Sequence, residues 1–177
     1  MSKVAELHKE SSPASAGVYV LTCSTSKYKQ LQEGMQPDDV SGDIIERLAA
    51  DAGHKIAGRK LIPDSGLMIR RALRSALAKR AVDVLIVTGG TGISQTDVTF
   101  ETIYPLLERE LPGFGEIFRR ISYDEIGSPA MMSRAFAGTI KGKAVFCLPG
   151  SPNGVRTAME KLILPELGHI IGLSRGR

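Results

Sequence analysis

The run from Val82 to Thr99, Val-Asp-Val-Leu-Ile-Val-Thr-Gly-Gly-Thr-Gly-Ile-Ser-Gln-Thr-Asp-Val-Thr, constrains this chain more than any other. A β-branched strand empties into a loop with three glycines, the carboxylate of Asp97 follows, and an apolar repeat at helical spacing begins near Thr99. Strand, loop and helix in that order is the repeating step of a parallel α/β fold. Gly89, Gly90 and Gly92 let the backbone approach a ligand closely and adopt positive φ, while the next helix offers N–H groups and its positive dipole end to an anion. A carboxylate there would repel a phosphate unless a divalent cation, most often Mg²⁺, lay between them. The competing reading is a tight turn whose glycines serve geometry alone and whose Asp97 caps the following helix. The loop is neither a P-loop, since Gly89 to Thr96 holds no lysine, nor a dinucleotide fingerprint, since Gln95 stands where the last glycine belongs.

The rest of the chain repeats the step. Residues 1–16, rich in Ser, Ala, Lys and Glu, read as a mobile tail, and the body, 17–177, as a single domain. Val18 to Cys23 is a nearly continuous apolar strand of the kind covered on both faces. Residues 24–40, with Gly34, Pro37, Asp38 and Asp39, read as a loop at its carboxyl end, where open α/β sheets bind ligands. Ile44, Ile45, Leu48, Ala49 and Ala52 predict a helix over 41–53 that Gly53 closes. A strand over 54–62 follows, ending in Pro63-Asp64-Ser65, and then a helix over 66–80. After the glycine loop, Phe100, Ile103 and Leu107 mark a third helix and Phe114, Ile117, Phe118 and Ile121 a fourth. Residues 131–137 read as a short fifth. Lys143 to Leu148 is the last strand, and a sixth helix carries Val155, Ala158, Met159, Leu162 and Ile163, with Ser151 placed to cap it and Pro152 in its first turn. The fold class is therefore α/β, three-layered, with a mostly parallel central sheet and helices on both faces.

Composition narrows the function classes. The 23 basic and 19 acidic residues leave a net charge of +4, and Arg70, Arg71, Arg74, Lys79 and Arg80 share a segment with apolar residues at helical spacing, so they read as a solvated helix face rather than a nucleic-acid patch. Cys23 and Cys147 each lie in strand-like runs, which suits buried reduced thiols and a reducing, cytoplasmic setting. The three histidines have no ligand spacing to each other or to a cysteine, so any metal would be oxygen-bound. No apolar run is long enough for a membrane span.

Three strand ends are expected to share one rim: Pro63-Asp64, Gly89 to Asp97, and Pro149 to Gly154. Asp64 and Asp97 could hold Mg²⁺ there or position a phosphate nucleophile, although Asp64 could equally cap the helix after it. Gly150-Ser151-Pro152-Asn153-Gly154 lacks the G-x-S-x-G spacing, and no histidine is placed to activate a serine or cysteine, so covalent catalysis is unsupported.

Thr88-Gly89-Gly90-Thr91-Gly92 with Thr96-Asp97-Val98-Thr99, then Leu111-Pro112-Gly113-Phe114-Gly115-Glu116, Met132-Ser133-Arg134-Ala135 and Leu148-Pro149-Gly150-Ser151-Pro152, resembles the MoaB/MogA family of molybdenum cofactor biosynthesis, across residues 17–170. The resemblance implies a compact α/β domain that binds molybdopterin and adenylylates it with Mg-ATP, releasing pyrophosphate. It implies a homotrimer or homohexamer and a possible molybdenum-inserting partner. By position it assigns Asp64 and Asp97 as functional aspartates and metal ligands, and Gly89, Gly90, Thr91 and Gly92 as the loop that cradles pterin phosphate or nucleotide. Ser133 and Ser151 fall in motifs that line the pterin pocket, and the loop at Gly150, like that at Gly89, is expected to bind anions. Glu116 reads as a ligand residue or, the preferred reading, a helix and subunit contact, while Arg134 reads as either a solvated helical residue or a functional one. Ser65 departs from the acidic residue of many relatives. Two other readings stand beside the enzyme: a non-catalytic molybdopterin-binding or oligomer-forming scaffold of the same pathway, and a CinA-type domain acting on other nucleotides, against which the Gly-Gly-Thr-Gly and Thr-Asp-Val-Thr pieces argue.

Overall fold

The computed structural model describes residue 13 and residues 15–176, so most of the expected tail lies outside the described residues. Six strands form one sheet in the order β2-β1-β3-β6-β5-β4. They are β1 (Gly17–Cys23), β2 (Lys55–Ile62), β3 (Val84–Thr88), β4 (Arg109–Glu110), β5 (Phe136–Ile140) and β6 (Lys143–Leu148). β2, β1, β3 and β6 are mutually parallel, whereas β5 runs antiparallel to both β6 and β4.

Helices cover both faces. Side chains alternate along each strand, so Val18, Val20, Val84, Ile86 and Phe146 enter one core and Tyr19, Leu21, Leu85, Val87 and Val145 the other. The first core is closed by α2 (Val40–Asp51), α5 (Pro112–Ile126), α6 (Pro152–Ala158) and α7 (Leu164–Ser174), through Ile45, Phe118, Val155 and Leu167 among others. The second is closed by α3 (Gly66–Ala78) and the short α4 (Thr99–Ile103), through Ile69, Leu73 and Ile103. Burial on both faces is why β1 and β3 read as unbroken apolar runs. The basic residues of α3 are exposed, as its amphipathic pattern requires, and both cysteines are free and buried.

Two expectations need correction. The segment read as a loop over 24–40 contains a helix, α1 (Thr25–Gln32), capped by the Ser24 hydroxyl, which accepts from the Lys27 N–H. It carries no buried residue, so no apolar stripe announces it. The fifth helix expected over 131–137 is instead a 3₁₀ turn, Ser128–Met132, followed by β5, whose strand conformation is imposed by pairing with β6. A two-residue turn joins them, with Lys141 (φ 52°) and Gly142 (φ 67°) both left-handed as a type I′ hairpin requires. The sixth helix runs on past the residues that announced it. A π turn, Met159–Ile163, leads into α7, and Pro165, which has no N–H to donate, sits in the first turn of that continuation.

Candidate active site

β1 has β2 on one side and β3 on the other, so the direction in which strands are added to the sheet reverses at β1, between β1 and β3. The crevice outside their carboxyl ends is where this topology binds ligands. A cavity of about 480 Å³ lies there, a volume within the range of small-molecule sites. Asp64, Gly89, Gly90, Thr91, Gly92, Asp97, Ser133, Gly150 and Ser151 all line it. The expected rim is thus one surface, drawn from five separate stretches of chain.

The glycine loop is shaped by contacts that only glycine permits. A Cβ on Gly89 (φ +98°) would lie 2.2 Å from the Cys23 carbonyl oxygen, and one on Gly90 (φ +65°) would lie 2.6 Å from Thr99 Oγ1. Thr99 ties the loop to α4: its hydroxyl donates to the Gly89 carbonyl (2.8 Å) and its N–H to the Gly90 carbonyl (3.0 Å). The N–H groups of Gly90, Thr91 and Gly92 are donated to no group among the described residues. Neighbouring N–H groups on a left-handed turn form a concavity for anions.

Neither aspartate is a helix cap. The N-cap residue of α3 is Ser65 and that of α4 is Val98, both without a side-chain cap bond. Asp64 Oδ2 accepts from the N–H and hydroxyl of Thr25, each at 2.8 Å, and the Asp64 N–H donates back to the Thr25 hydroxyl at 3.0 Å. Its other oxygen, Oδ1, is 3.1 Å from where a Gly90 Cβ would stand, so it faces the loop. Asp97 Oδ2 accepts the Ser94 N–H at 2.9 Å and is 2.7 Å from where a Gly92 Cβ would stand. The two carboxylates therefore flank one glycine loop, two residues apart along it.

Further side chains, some of them named in the sequence and some not, complete the site. Arg134 holds the loop in place. Its Nε donates to the Gly92 carbonyl (2.8 Å) and Nη2 to the Asp97 carbonyl (3.2 Å), its guanidinium pairs with Glu101, and its own N–H donates to the Thr91 carbonyl (3.1 Å). Asp39 is 6% exposed and takes bonds from the Thr22 hydroxyl (2.7 Å), Arg59 Nη2 (2.7 Å) and the Gly42 N–H (3.2 Å). Burial alone would raise its carboxyl, but those donors outweigh it and hold it below the usual carboxylate range. Ser41 donates to the Gly150 carbonyl (2.8 Å) and Thr88 to the Pro149 carbonyl (2.7 Å), fastening the last loop to the rim. Ser151 caps α6 as expected, accepting the Gly154 N–H at 3.3 Å. Burial pushes the Cys23 thiol, which also lines the cavity, up to about 12, so it is no nucleophile. Lys27, on the first turn of α1, is the one cationic side chain of the lining among the described residues. The pair Asp38-Asp39 at the end of a strand-following segment was the sequence signal for this wall.

Chemically, the cavity offers undonated backbone N–H groups, carboxylates and one lysine, a set suited to an anion accompanied by a cation. Among the described residues no three ligating side chains cluster to cage a metal by themselves. A pair of carboxylates flanking one loop does fit Mg²⁺, which takes one or two carboxylates and completes its shell with water and substrate phosphate.

The model of a family described as a probable molybdopterin binding domain matches residues 19–169. The chain is 44% identical over 164 residues to molybdenum cofactor biosynthesis protein B of Bacillus cereus, covering 92% of this chain and 93% of that one. It is 42% identical over 153 residues to a protein of Methanocaldococcus jannaschii named as a probable molybdopterin adenylyltransferase, covering 86% and 90%. A crystal structure of a molybdenum cofactor biosynthesis protein B superimposes with a TM-score of 0.85 at 43% identity, covering 93% and 99%.

Proposed function

The chain belongs to the molybdopterin-binding domain family of molybdenum cofactor biosynthesis, and we propose that it adenylylates molybdopterin with Mg-ATP, releasing pyrophosphate. One observation carries the reading: Asp64 and Asp97 flank a glycine loop whose N–H groups open on the same cavity. In the reaction an oxygen of the molybdopterin phosphate attacks the α-phosphorus of ATP, the bond from that phosphorus to the β-bridging oxygen breaks, and pyrophosphate leaves with the electron pair. The protein needs to do little covalent work; it aligns the two phosphates and meets the charge that builds on their oxygens. The N–H groups of Gly90, Thr91 and Gly92 supply donors for that charge. Asp64 and Asp97 would hold Mg²⁺, which when bound neutralises phosphate oxygens. Ser133, Gly150 and Ser151, which line the same cavity, would receive the pterin. Cytoplasmic residence, a trimer or hexamer and docking of a molybdenum-inserting partner are parts of the same reading, and mass photometry of the purified protein measures the assembly.

The test is pyrophosphate release from molybdopterin and Mg-ATP. Wild type is expected to turn over, and D97A to lose turnover while still binding molybdopterin. Full turnover by D97A would remove Asp97 from the mechanism. Molybdopterin binding by wild type with no pyrophosphate released would support the scaffold reading.

A further inference from the structure

We propose that Lys27 is a substrate-contacting residue that binds the polyphosphate of the nucleotide, taking the charge of the departing pyrophosphate. The inference rests on the adenylylation reading and deepens it.

The charge of the cavity wall requires such a group. Its ionisable lining consists of Asp39, Asp64, Asp97, Cys23 and Lys27, with Cys23 neutral. Three carboxylates face one ammonium in a site built for anions. Arg59 compensates Asp39 from outside the lining, but Asp64 and Asp97 have no cationic side chain against them among the described residues. A triphosphate entering here meets net negative walls unless cations accompany it. Mg²⁺ on the aspartates would supply part of that charge, and Lys27, on α1, is the protein's own contribution.

Geometry sets Lys27 for this task. Its ammonium donates to the Asp38 carbonyl at 2.8 Å and stands 4.0 Å from Asp39 Oδ1, which fixes the long side chain against the wall. An ammonium has three donors, and the Asp38 carbonyl uses one. The side chain is 32% exposed and lines the cavity, so the remaining donors can reach a ligand without unfolding anything. The helix that carries it is tied to the site by the same residue that fixes Asp64. Thr25, two positions before Lys27, donates twice to the Asp64 carboxylate, so the aspartate and the lysine move as one unit. The nucleotide is the better match than the pterin phosphate. It bears the larger charge, and charge builds on its leaving group as the bond breaks.

The experiment is isothermal titration of Mg-pyrophosphate, Mg-ATP and molybdopterin into wild type, K27A and K27R, with pyrophosphate-release kinetics alongside. α1 contributes no buried residue, so K27A is expected to keep the wild-type melting temperature. K27A should weaken Mg-pyrophosphate and Mg-ATP about 10- to 100-fold, the range for losing one charge-assisted bond. Its molybdopterin affinity should stay within about twofold, and K27R should recover most of the loss. Equal pyrophosphate affinity in wild type and K27A would overturn the assignment alone. A loss confined to molybdopterin would overturn it too, moving Lys27 to the pterin side. Wild type that binds neither pyrophosphate nor ATP would overturn the adenylylation reading itself, and the lysine's role with it.

Discussion

Gly90 sits between two side chains that have no room to retreat. With φ at +65°, a methyl group there would press on Thr99 Oγ1 at 2.6 Å and on Asp64 Oδ1 at 3.1 Å, and the Thr99 hydroxyl is already committed to the Gly89 carbonyl. G90A is therefore expected to cost about 1–3 kcal/mol in urea unfolding and to lose pyrophosphate release, because the strain falls on the aspartate as well as the loop. Asp39 gives a pH-dependent prediction. Its folded value lies below its unfolded one, so its share of stability is full above the unfolded range near pH 4. That share fades as pH drops through the lower folded value. The stability gap between wild type and D39N should accordingly be widest at neutral pH and close progressively below about pH 4, as followed by chemical denaturation across pH. The two cysteines are buried and their thiols raised, Cys23 to about 12, so a thiol-specific reagent at pH 8 should modify neither until urea is added.

At the scale of elements, the glycine loop keeps its shape because β5 begins where it does. Arg134, just before Phe136, reaches back to the carbonyls of Gly92 and Asp97 and forward to Glu101 on α4, with its guanidinium 5.1 Å from the Phe100 ring centroid. R134Q should raise the Mg²⁺ concentration for half-maximal activity severalfold, since the loop would no longer hold Asp97 in register. In a D97N background the same change should add nothing to Mg-ATP binding, and a further loss there would mean that Arg134 acts independently of the aspartate. This clamp was invisible in the chain. Read over 131–137, Met131, Met132 and Ala135 suggest a helix, and the strand Phe136–Ile140 exists through its partner β6, not through its own pattern. The turn joining them was equally hidden, because Lys141 is not one of the residues that ordinarily signal a left-handed turn. α1 escaped for the opposite reason: a helix that buries nothing leaves no periodicity to find.

For the molecule as a whole, stability rests on two cores separated by one sheet, and the site draws on both through the ends of β1, β2, β3 and β6. Phe118 and Phe146 are each 1% exposed in the first core. Truncating either to alanine should cost about 3–5 kcal/mol. It should also melt the whole domain in one transition rather than disable the site selectively, as calorimetry beside activity at a permissive temperature would show. The chain alone determined the strand-and-helix alternation, the apolar character of the central strands and the glycine loop, because these follow from side-chain period and backbone freedom between near neighbours. It also named nine residues that line one cavity, since each stands at a strand end or in a recognisable motif. Only the tertiary structure decided what those residues touch. Residues 25 and 64 meet where the parallel strands β1 and β2 end side by side, 39 and 59 where the start of α2 packs against β2, and 92 and 134 where the antiparallel β5 begins, and hydrogen bonds across such gaps in sequence leave no local signal. The strand order, set by burial of both sheet faces, is what turns separate turns into one charged cavity.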